Sequence, residues 1–422
     1  MKITTVKGMH DITPPETAIW CRLEGIARHL FERYGFAEMR TPIAERTPLF
    51  VRGVGASTEL VQKEMYTFVD QGGEELTLRP EGTAPVVRSY IEHGLYQADP
   101  LAKLYYFGPM FRRERPQKGR FRQFHQIGVE LLGTAHPAAD AEVIVMAMRL
   151  CETLGLRDLR LEVNSLGCAD CRPKYQQSLE TFLGQVVGQL CEDCQRRVRT
   201  NPMRIFDCKN PQCQQALMEA PTVQDFWCDA CGEHFRQVCE GLEAVQVTYW
   251  CNHRIARGLD YYMRTAFEIV SHSLGGAQNA LCGGGRYDGL VRDLGGPDVP
   301  GVGFAIGIER LLLLMEQPLA VARLPRAIFV AALGPEARRL SMPLMAMLRD
   351  RDWIVEWDYE DRSLKSQLKR ADRSGSRYVV IVGDDELSAA KAVVRDMETK
   401  QQADVALDQL VHYFADLGGV AA

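Results

Sequence analysis

KLYYFGPMFRRERPQKGRFRQFHQIGVELLG, residues 103–133, holds two apolar runs on either side of a basic, aromatic-edged centre. The centre, residues 111–124, carries five arginines, one lysine and one glutamate, a local charge of +5 in a chain whose formal net charge is -5. Pro116 and Gly119 interrupt it and favour a loop over a continuous helix. The segment therefore predicts a hairpin of two buried strands with a cationic mouth, which suits a polyphosphate, a nucleotide or an RNA end.

The size and composition of the chain are those of a multidomain globular protein. Its 422 residues exceed what one hydrophobic core organises, and 46% hydrophobic with 25% charged residues is ordinary. No apolar run approaches the ~20 residues of a membrane span, and residues 1–7 lack the apolar core of a signal peptide. We therefore expect a cytoplasmic protein with no membrane contact. The acidic net charge argues against indiscriminate nucleic-acid binding but permits local basic patches that bind RNA.

Hydrophobic periodicity divides the chain into two domains. Residues 1–325 have short strands joined by short loops, the pattern of an antiparallel sheet, and residues 165–245 interrupt them with paired cysteines and polar helices. Residues 326–422 alternate strands with helices, which implies a small α/β domain on a largely parallel sheet, with a linker at 323–326. The elements predicted for the first domain are helices at 17–34 and 139–154, strands at 36–42, 76–79, 104–107, 127–132, 247–250 and 267–271, and a strand-to-helix transition at 301–315.

Five motifs in order carry a resemblance to a known family. They are Gly35-Phe-Ala-Glu-Met-Arg-Thr-Pro42, Phe111-Arg-Arg-Glu114 with its loop, Arg257-Gly-Leu-Asp-Tyr-Tyr262, Gly283-Gly-Gly-Arg-Tyr-Asp288 and Gly303-Phe-Ala-Ile-Gly-Ile-Glu-Arg310. Together they resemble the histidyl-tRNA synthetases, which are class II aminoacyl-tRNA synthetases, over essentially the whole chain. The resemblance implies an α+β fold: a class II antiparallel-sheet catalytic domain, 1–325, with an inserted domain, 165–245, and a C-terminal α/β anticodon-binding domain, 326–422. It also implies a homodimer with the strand ending at Pro42 at the interface.

The implied reaction is the ATP-dependent ligation of L-histidine to tRNA(His). It passes through a histidyl-adenylate and releases AMP and pyrophosphate, with Mg²⁺ neutralising the phosphates. The first step gathers a carboxylate and a triphosphate, so cations are needed to hold the attack geometry. Arg112 matches the class arginine that grips the α-phosphate and the substrate carboxylate, and Arg257 matches a second arginine on its other side. The alternative for each is a surface ion pair worth ~0–1 kcal/mol.

Other residues match the family's ATP site. Phe124 and Arg310 resemble the pair that sandwiches adenine, where a ring and a guanidinium combine stacking with cation–π attraction. Arg310 also fits a contact to the γ-phosphate, and Glu114 and Arg120 lie in the arginine loop and are expected to contact ATP. Alternatively, Phe124 is an ordinary core aromatic. Glycines in the last motif, Gly303 and Gly307, allow close approach of the nucleotide or tight packing of helix on strand.

Six residues are expected to bind histidine. Glu81 and Thr83 match family residues at the amino group, and Gln126 and Glu130 share one face of a strand because they are four apart. A carboxylate facing the imidazole would reject apolar analogues, whereas a structural Glu130 would need a hidden partner. The remaining two residues, Tyr261 and Tyr262, would line the histidine pocket and supply hydroxyl groups.

Two regions are expected to contact tRNA. Gln117 and Arg122 lie in the arginine loop, where the family meets the acceptor end. Residues 362–377 form the second region, with a local charge of +5. The alternative for this second region is a solvated helix face. Its cations are Arg362, Lys365, Lys369, Arg370, Arg373 and Arg377, against one acid, Asp372.

The cysteines raise a separate question, since nine of the thirteen fall between Cys168 and Cys239. Pairs separated by two residues are the usual half-site for structural zinc, and two pairs complete a four-thiolate site. The chain departs here from the commoner family pattern, and the sequence leaves both the pairing and the alternative of reduced core thiols open. A catalytic zinc is not expected, because Cys282, directly before Gly283, is the only cysteine beside the active-site motifs. The candidate ligands are Cys168, Cys171, Cys191, Cys194, Cys208, Cys213, Cys228 and Cys231.

Two other functions compete with histidine–tRNA ligation. A non-catalytic regulatory subunit of histidine biosynthesis generally lacks the C-terminal domain and breaks the catalytic motifs, whereas this chain keeps Arg112, Arg257 and Arg310. A prolyl or threonyl specificity is disfavoured by the motif at 257–262.

Overall fold

The computed structural model describes residues 2–200, 202–208, 210–255, 258–274, 279–315 and 327–418. The chain divides into two compact units, Met1–Leu319 and Ala320–Ala422. The predicted linker, 323–326, lies outside the described residues, so the predicted boundary after residue 325 stays a prediction. None of the helices in the described ranges combines the length and apolarity needed to cross a membrane.

The larger unit contains eleven strands within the described ranges. They are β1 Ala37–Glu38, β2 Ala44–Arg46, β3 Tyr66–Val69, β4 Glu75–Leu78, β5 Ala102–Phe111, β6 Gln123–Leu132, β7 Leu159–Ser165, β8 Trp250–Cys251, β9 Met263–Ser271, β10 Ala280–Arg286 and β11 Gly301–Gly307. The α-helices are α1 Glu16–Arg33, α2 Thr47–Val54, α3 Thr83–Glu92, α4 Leu95–Ala98, α5 Pro137–Thr153, α6 Cys171–Val186, α7 Glu192–Thr200, α8 Pro211–Ala216, α9 Asp229–Ala244, α10 Leu290–Asp293 and α11 Ile308–Leu314. Shorter helical turns lie at Leu60–Glu64, Val187–Gln189, Pro202–Asp207, Val223–Phe226 and His272–Leu274.

Eight of these strands form one sheet in the order β1-β5-β6-β11-β10-β9-β7-β8. The short edge strands β1 and β8 pair parallel to their neighbours, and the other pairings are antiparallel. The predicted antiparallel sheet is therefore confirmed. Of the strand predicted at 247–250, only Trp250 joins the sheet, as the first residue of β8. A second, three-stranded sheet has the order β2-β4-β3.

Helices α1 and α5 supply the main core against the large sheet. Leu23, Leu30 and Phe31 recur at helical spacing on α1 and are buried with Ile144 of α5 and Val129 of β6. Such spacing aligns side chains along one face, which is why the sequence pattern located α1 to within a residue. This packing holds one face of the sheet that contains the arginine hairpin, β5 and β6.

The cysteine-rich insertion builds a small core of its own. Tyr175, Leu179 and Leu183 of α6 pack with Ile205 and Leu217, all of them buried. A core of this size stabilises little by itself, so such segments commonly depend on disulfides or a metal.

The smaller unit is a five-stranded sheet in the order β13-β12-β14-β15-β16. β13, β12 and β14 are parallel, as predicted, but β15 and β16 run antiparallel at one edge. The connections on either side of β15 are too short for a parallel crossover, which explains the mixed sheet. Its elements are β12 Ala327–Ala332, α12 Pro335–Arg349, β13 Ile354–Trp357, α13 Leu364–Arg373, β14 Tyr378–Val382, α14 Asp384–Ser388, β15 Lys391–Asp396, β16 Gln402–Ala406, a turn at Leu407–Gln409 and α15 Leu410–Gly418.

Candidate active site

The predicted arginine hairpin is present at one end of β5 and β6. Met110 lies opposite Phe124 where the two strands end, and the loop beyond is closed by a bridge between Gln117 and Arg120. The backbone N–H of Arg112 donates to the carbonyl of Arg122 at 2.8 Å, which brings the two sides of the loop together. Backbone contacts thus hold the two sides of the loop together.

A cavity of about 880 Å³ opens beside this hairpin. Of the predicted site residues, Gln117, Arg122 and Glu130 are not among those that line it, and Arg257 lies outside the described residues. The structure brings the other ten together around one space: Glu81, Thr83, Arg112, Glu114, Arg120, Phe124, Gln126, Tyr261, Tyr262 and Arg310.

Arg112 is anchored in the cavity wall. Its Nε donates to the carbonyl of Pro80 at 2.8 Å, and its guanidinium carbon lies 5.2 Å from the centre of the Phe124 ring. This position differs from that of a mobile surface arginine, because two fixed partners hold the planar fork at its base. Phe124 therefore packs beside a cation at the cavity and also against the apolar cluster that contains Tyr106 and Met110.

Charged groups surround the loop side of the cavity. Glu114 and Arg120 form a 2.8 Å ion pair, with side chains only 14% and 26% exposed. Arg310, in the first turn of α11, donates to the carbonyls of Gly119 and Ala280, and burial lowers the pKa of its guanidinium. Burial raises the pKa of Glu64, which also lines the cavity, and the nearby carboxylate of Glu114 adds to the effect.

Glu81 is the buried carboxylate of the cavity wall. It accepts the backbone N–H groups of Thr83 at 2.7 Å and Ala84 at 2.8 Å, at the start of α3. The positive end of the helix backbone stabilises a negative charge here, while burial raises the pKa of the carboxyl. The hydroxyl of Tyr261 donates to the same carboxylate at 3.5 Å. The two backbone N–H groups and the Tyr261 hydroxyl thus fix the orientation of the Glu81 carboxylate.

Glu130 lies behind the cavity wall, where it has the hidden partners that a structural role requires. Thr83 donates its hydroxyl to Glu130 at 2.7 Å, Tyr106 does so at 3.5 Å, and Tyr287 also donates. Burial raises the pKa of Glu130 to about 8. Thr83 therefore connects Glu130 to the cavity, whereas Gln126 on the same face of β6 reaches the cavity itself.

Gly303 explains part of this arrangement. It lies opposite Glu130 in the β6–β11 ladder, and a Cβ at this position would come within 2.1 Å of a Glu130 carboxylate oxygen. The Val129 carbonyl oxygen would lie 2.3 Å from the same Cβ, so both the backbone of β6 and the buried carboxylate require a glycine here. The sequence alone could not distinguish this packing from close approach of a nucleotide.

The two predicted tRNA-binding residues lie on the loop. Gln117 is exposed at its tip. Arg122 is held against the N-terminal segment, since its backbone N–H donates to the Gly8 carbonyl at 2.7 Å and its side chain donates to the Lys7 and Glu114 carbonyls. Arg122 thus has a structural function whether or not it contacts RNA.

Several cavity residues were missed by the sequence analysis. Arg197 and Phe206 come from the insertion, and their distance in sequence from every recognised motif hid them. Glu309 also lines the cavity and accepts the backbone N–H of His125 at 2.9 Å and lies 3.0 Å from its Nδ1. Its position directly before Arg310 was the signal that could have identified it. Tyr287, the hidden partner of Glu130, stands in a motif that was recognised without being assigned a contact.

The eight candidate metal ligands form two groups of four. Cys168, Cys171, Cys228 and Cys231 are the first group, with all sulfur atoms within 4.8 Å of one another. Cys191, Cys194, Cys208 and Cys213 form the second in the same way. Among the described residues, none of these cysteines lines the cavity. We call the first group the inner cluster, because it joins the two ends of the insertion, and the second group the outer cluster.

The antiparallel sheet, the arginine hairpin at its end and the separate α/β unit define a class II aminoacyl-tRNA synthetase. The family model for histidyl-tRNA synthetase matches residues 8–171 and 210–311, and that for the anticodon-binding domain matches 327–417. Because these matches cover most of its length, the chain belongs to the histidyl-tRNA synthetase family.

Full-length relatives agree. The chain is 51% identical over 405 residues to the histidine–tRNA ligase of Geobacter sulfurreducens, covering 96% of this chain and 97% of the relative. It is 49% identical over 408 residues to that of Syntrophotalea carbinolica, covering 97% of each. The crystal structure of apo histidyl-tRNA synthetase from S. aureus superposes with a TM-score of 0.82 at 38% identity, covering 98% of this chain and 100% of the other. The predicted family, fold class and enzyme class are confirmed, and the regulatory alternative is not supported.

Proposed function

We propose that the cavity activates histidine with ATP and then transfers it to tRNA(His). One observation carries the proposal: a single cavity is lined both by the arginines expected to bind phosphates and by the carboxylate and hydroxyls expected to bind an amino acid. Charging requires these two substrates to meet, since the histidine carboxylate must attack the α-phosphate. Pyrophosphate leaves in that step and AMP in the second.

Arg112 is proposed to bind the α-phosphate and the histidine carboxylate together. The planar guanidinium donates several N–H groups in a fixed fork, and the Pro80 carbonyl and the Phe124 ring restrict its rotation. A cation that is already in place before the reaction stabilises the negative charge on the phosphoryl oxygens of the pentacoordinate transition state. No reorganisation of the protein is then needed during the attack.

The remaining nucleotide contacts are assigned by position in the cavity. Phe124 and Arg310 are proposed to enclose the adenine, with Arg310 also reaching the γ-phosphate. Glu114 and Arg120 are proposed to contact ATP, and their ion pair would open or reorient as the nucleotide enters. Mg²⁺ would bind with the phosphates and neutralise the leaving pyrophosphate.

Arg257 is proposed as the second catalytic arginine on the strength of its motif, Arg257-Gly-Leu-Asp-Tyr-Tyr262. Arg257→Ala should reduce adenylate formation by orders of magnitude while the circular dichroism spectrum stays unchanged. A loss below about tenfold, ~1.4 kcal/mol, would remove it from the catalytic residues.

Histidine recognition is proposed to combine a charge and a polar wall. Glu81 and Thr83 would bind the α-amino group, and Tyr261 and Tyr262 would flank the ring. Gln126 has a buried Oε1 without a hydrogen-bond partner among the described residues, so it is suited to accept an imidazole N–H. The six-residue set is completed by Glu130, which is proposed to act through Thr83 and not by direct contact.

The wider assignments follow from the same family. Gln117 and Arg122 are proposed to meet the acceptor end of the tRNA, and the smaller unit the anticodon. We propose a homodimer that includes the strand ending near Pro42, a cytoplasmic location, and structural Zn²⁺ in the insertion. Light scattering on the purified protein would test the dimer, and a monomeric mass would contradict it.

Pyrophosphate exchange with each amino acid in turn tests the function. We expect exchange with histidine alone, followed by charging of tRNA(His) under the same conditions. Exchange with proline or threonine would replace the proposed specificity, and absence of histidine-dependent exchange would overturn the function.

A further inference from the structure

We propose that the insertion binds two zinc ions, one in each cysteine cluster, and that the inner ion positions the tyrosines of the histidine pocket. The second statement rests on the proposed histidine-binding role of Tyr261 and Tyr262. The first stands on the cysteine geometry alone.

Sulfur separations in the inner cluster match those of a tetrahedral zinc site. Cys168 and Cys171 sulfurs are 3.5 Å apart, Cys168 and Cys228 4.0 Å, and Cys171 and Cys231 3.9 Å. Zinc–sulfur bonds of about 2.3 Å in tetrahedral geometry give sulfur–sulfur edges of about 3.8 Å. A disulfide requires about 2.05 Å, so this spacing favours a shared metal over oxidation.

The outer cluster repeats this geometry with different residues. Its Cys191 and Cys208 sulfurs are 3.9 Å apart. In each cluster a backbone N–H also donates to a cysteine sulfur: Cys191 to Cys213 at 3.1 Å, and Cys228 to Cys171 at 3.2 Å. Such donors stabilise thiolates, the form in which cysteine binds metal.

Helix starts add to the thiolate stabilisation. Cys171 is the first residue of α6, Cys228 caps α9, and Cys231 lies in its first turn. The outer Cys194 is placed similarly in the first turn of α7. Helix N-termini favour negative charge, so these positions suit the thiolate form in which cysteine binds zinc.

The inner cluster is connected directly to the backbone of the histidine pocket. Arg172, next to the ligand Cys171, donates to the carbonyls of Tyr262 at 3.1 Å and Asp260 at 3.4 Å. These contacts hold the chain on both sides of Tyr261. An arginine at the start of α6 thus fixes the backbone of two residues that line the cavity.

A second connection runs through the turn before Cys168. The backbone of Leu166 donates to Arg264 at 2.7 Å, and that of Arg264 donates to Gly167 at 2.9 Å. Gly167 has φ +71, and a Cβ there would lie 2.7 Å from the Cβ of Cys171, so the turn is folded tightly against the cluster. A metal that holds this turn closed therefore also holds the segment that follows the two tyrosines.

Within the described residues, the outer cluster makes no such hydrogen bonds to Asp260–Arg264. It joins the start of α7 to the end of the turn Pro202–Asp207 and to α8. Of these elements, α7 contains Arg197 and the turn contains Phe206, and both side chains line the cavity. Loss of the outer ion should therefore disturb the insertion without moving the Tyr261 backbone. We therefore expect loss of the inner ion, but not of the outer ion, to weaken histidine binding.

Metal content of the full chain tests the zinc sites. Protein purified without added metal should hold about two zinc ions, because structural sites bind zinc tightly. Cys168→Ser with Cys231→Ser should hold about one, as should Cys191→Ser with Cys213→Ser, and the control Cys239→Ser, outside both clusters, should keep two. Less than about 0.2 zinc per chain, or iron in its place, would overturn the zinc proposal.

Histidine dependence of pyrophosphate exchange tests the positioning role. Arg172→Ala should keep two zinc ions yet raise KM for histidine about tenfold, since it loses two charged hydrogen bonds to the pocket backbone, while KM for ATP stays within about twofold. The inner-cluster variant should show the same split, and the outer-cluster variant and the control Lys174→Ala should not. An unchanged histidine KM in Arg172→Ala would overturn the positioning role and leave the zinc sites standing. Wild-type protein without histidine-dependent exchange would instead overturn the proposed function, and its metal content would still decide the zinc sites.

Discussion

Glu130 is a carboxyl group surrounded by hydroxyls from three parts of the fold. Thr83 of α3, Tyr106 of β5 and Tyr287 after β10 all donate to it, and Glu81 adds a nearby negative charge. Burial raises its pKa to about 8. The folded chain therefore binds this proton more tightly than the unfolded chain, in which a glutamate has a pKa of about 4.3.

A pH-dependent loss of stability follows. The contribution of Glu130 is fully present below about pH 4 and is lost as the pH rises through about 8, because only the unfolded state then releases the proton without cost. Glu130→Gln removes this titration. The free energy of unfolding of the wild type, minus that of the variant, should fall between about pH 5.5 and about pH 8.5 in urea titrations. A difference that rises over this range would contradict the buried, proton-binding carboxyl.

Arg112 provides the catalytic test at the residue scale. Arg112→Ala should lower histidine-dependent pyrophosphate exchange at least about 100-fold, ~2.7 kcal/mol, because a cation fixed at the cavity stabilises charge that develops during the attack. Arg115→Ala, an exposed arginine of the same loop, is the matched control and should change exchange less than about twofold. Equal losses in both variants would mean that the loop acts through its total charge.

Sequence reasoning at this scale identified residues more reliably than contacts. The position of Arg112 at the cavity could be predicted because its motif and its charge agree; its catalytic role stays a proposal. The indirect role proposed for Glu130 could not, because the neighbouring Tyr287 is 157 positions away in the chain and reaches it only through the sheet. The grouping of the cysteines could not be predicted from the sequence either. Even the outer cluster joins two residues, Cys191 and Cys213, that are 22 positions apart.

At the scale of elements, a buried ion pair joins β10 to α5. Arg286 and Asp140 both have fully buried side chains and are paired, and Arg286 also donates to Asp288 at 2.9 Å and the Thr134 carbonyl at 2.9 Å. The Gly283–Asp288 motif was predicted as a mark of the family. Its arginine is a structural link that holds the helix to the sheet.

Breaking this link should be costly. Arg286→Met removes the guanidinium from the buried Asp140, whose other titratable neighbour, the His234 imidazole, lies 3.8 Å away. We expect a loss of about 3–5 kcal/mol in the free energy of unfolding. Arg292→Ala removes an exposed pair with Asp298 and should cost less than about 1 kcal/mol. Denaturation of the two variants compares them directly. A loss in Arg286→Met no larger than in the control would mean that solvent or another group replaces the arginine.

Elements were predictable where periodicity was regular and turns were marked. α1, α5 and β6 were located because their buried residues repeat and a glycine follows each of them closely. β5 continues through Gly108 and Pro109 to Phe111, so the strand predicted at 104–107 was too short. The antiparallel edge of the smaller sheet was missed because β16 is short and mostly exposed, with one buried residue in five. Such a strand is stabilised by its pairing with β15, which a single sequence does not reveal.

At the scale of the whole molecule, the smaller unit separates the basic residues of 362–377 into two kinds. Arg362, Arg370 and Arg377 pair with carboxylates of their own unit. The other three, Lys365, Lys369 and Arg373, are exposed at helical spacing along α13, with no ion-pair partner among the described residues of the chain. We therefore propose that only these three exposed cations, and not all six basic residues of 362–377, bind tRNA.

Replacing Lys365, Lys369 and Arg373 by alanine should weaken charging at the tRNA step alone. Each phosphate contact releases counterions, so removal of three should lower the slope of log affinity against log salt by about 2 for single-stranded RNA. We expect KM for tRNA(His) to rise at least about tenfold, whereas histidine-dependent pyrophosphate exchange, which needs no tRNA, should not change.

The control for this prediction removes the same charge elsewhere on the smaller unit. Arg339, Arg351 and Lys400 are also exposed, and their triple alanine variant should leave KM for tRNA within about twofold if position matters more than net charge. An equal rise in both variants would assign tRNA attraction to the overall field of the unit. A normal KM in both would place anticodon recognition on another face, because single-stranded bases also require stacking and edge contacts that lysine and arginine side chains on one helix do not provide.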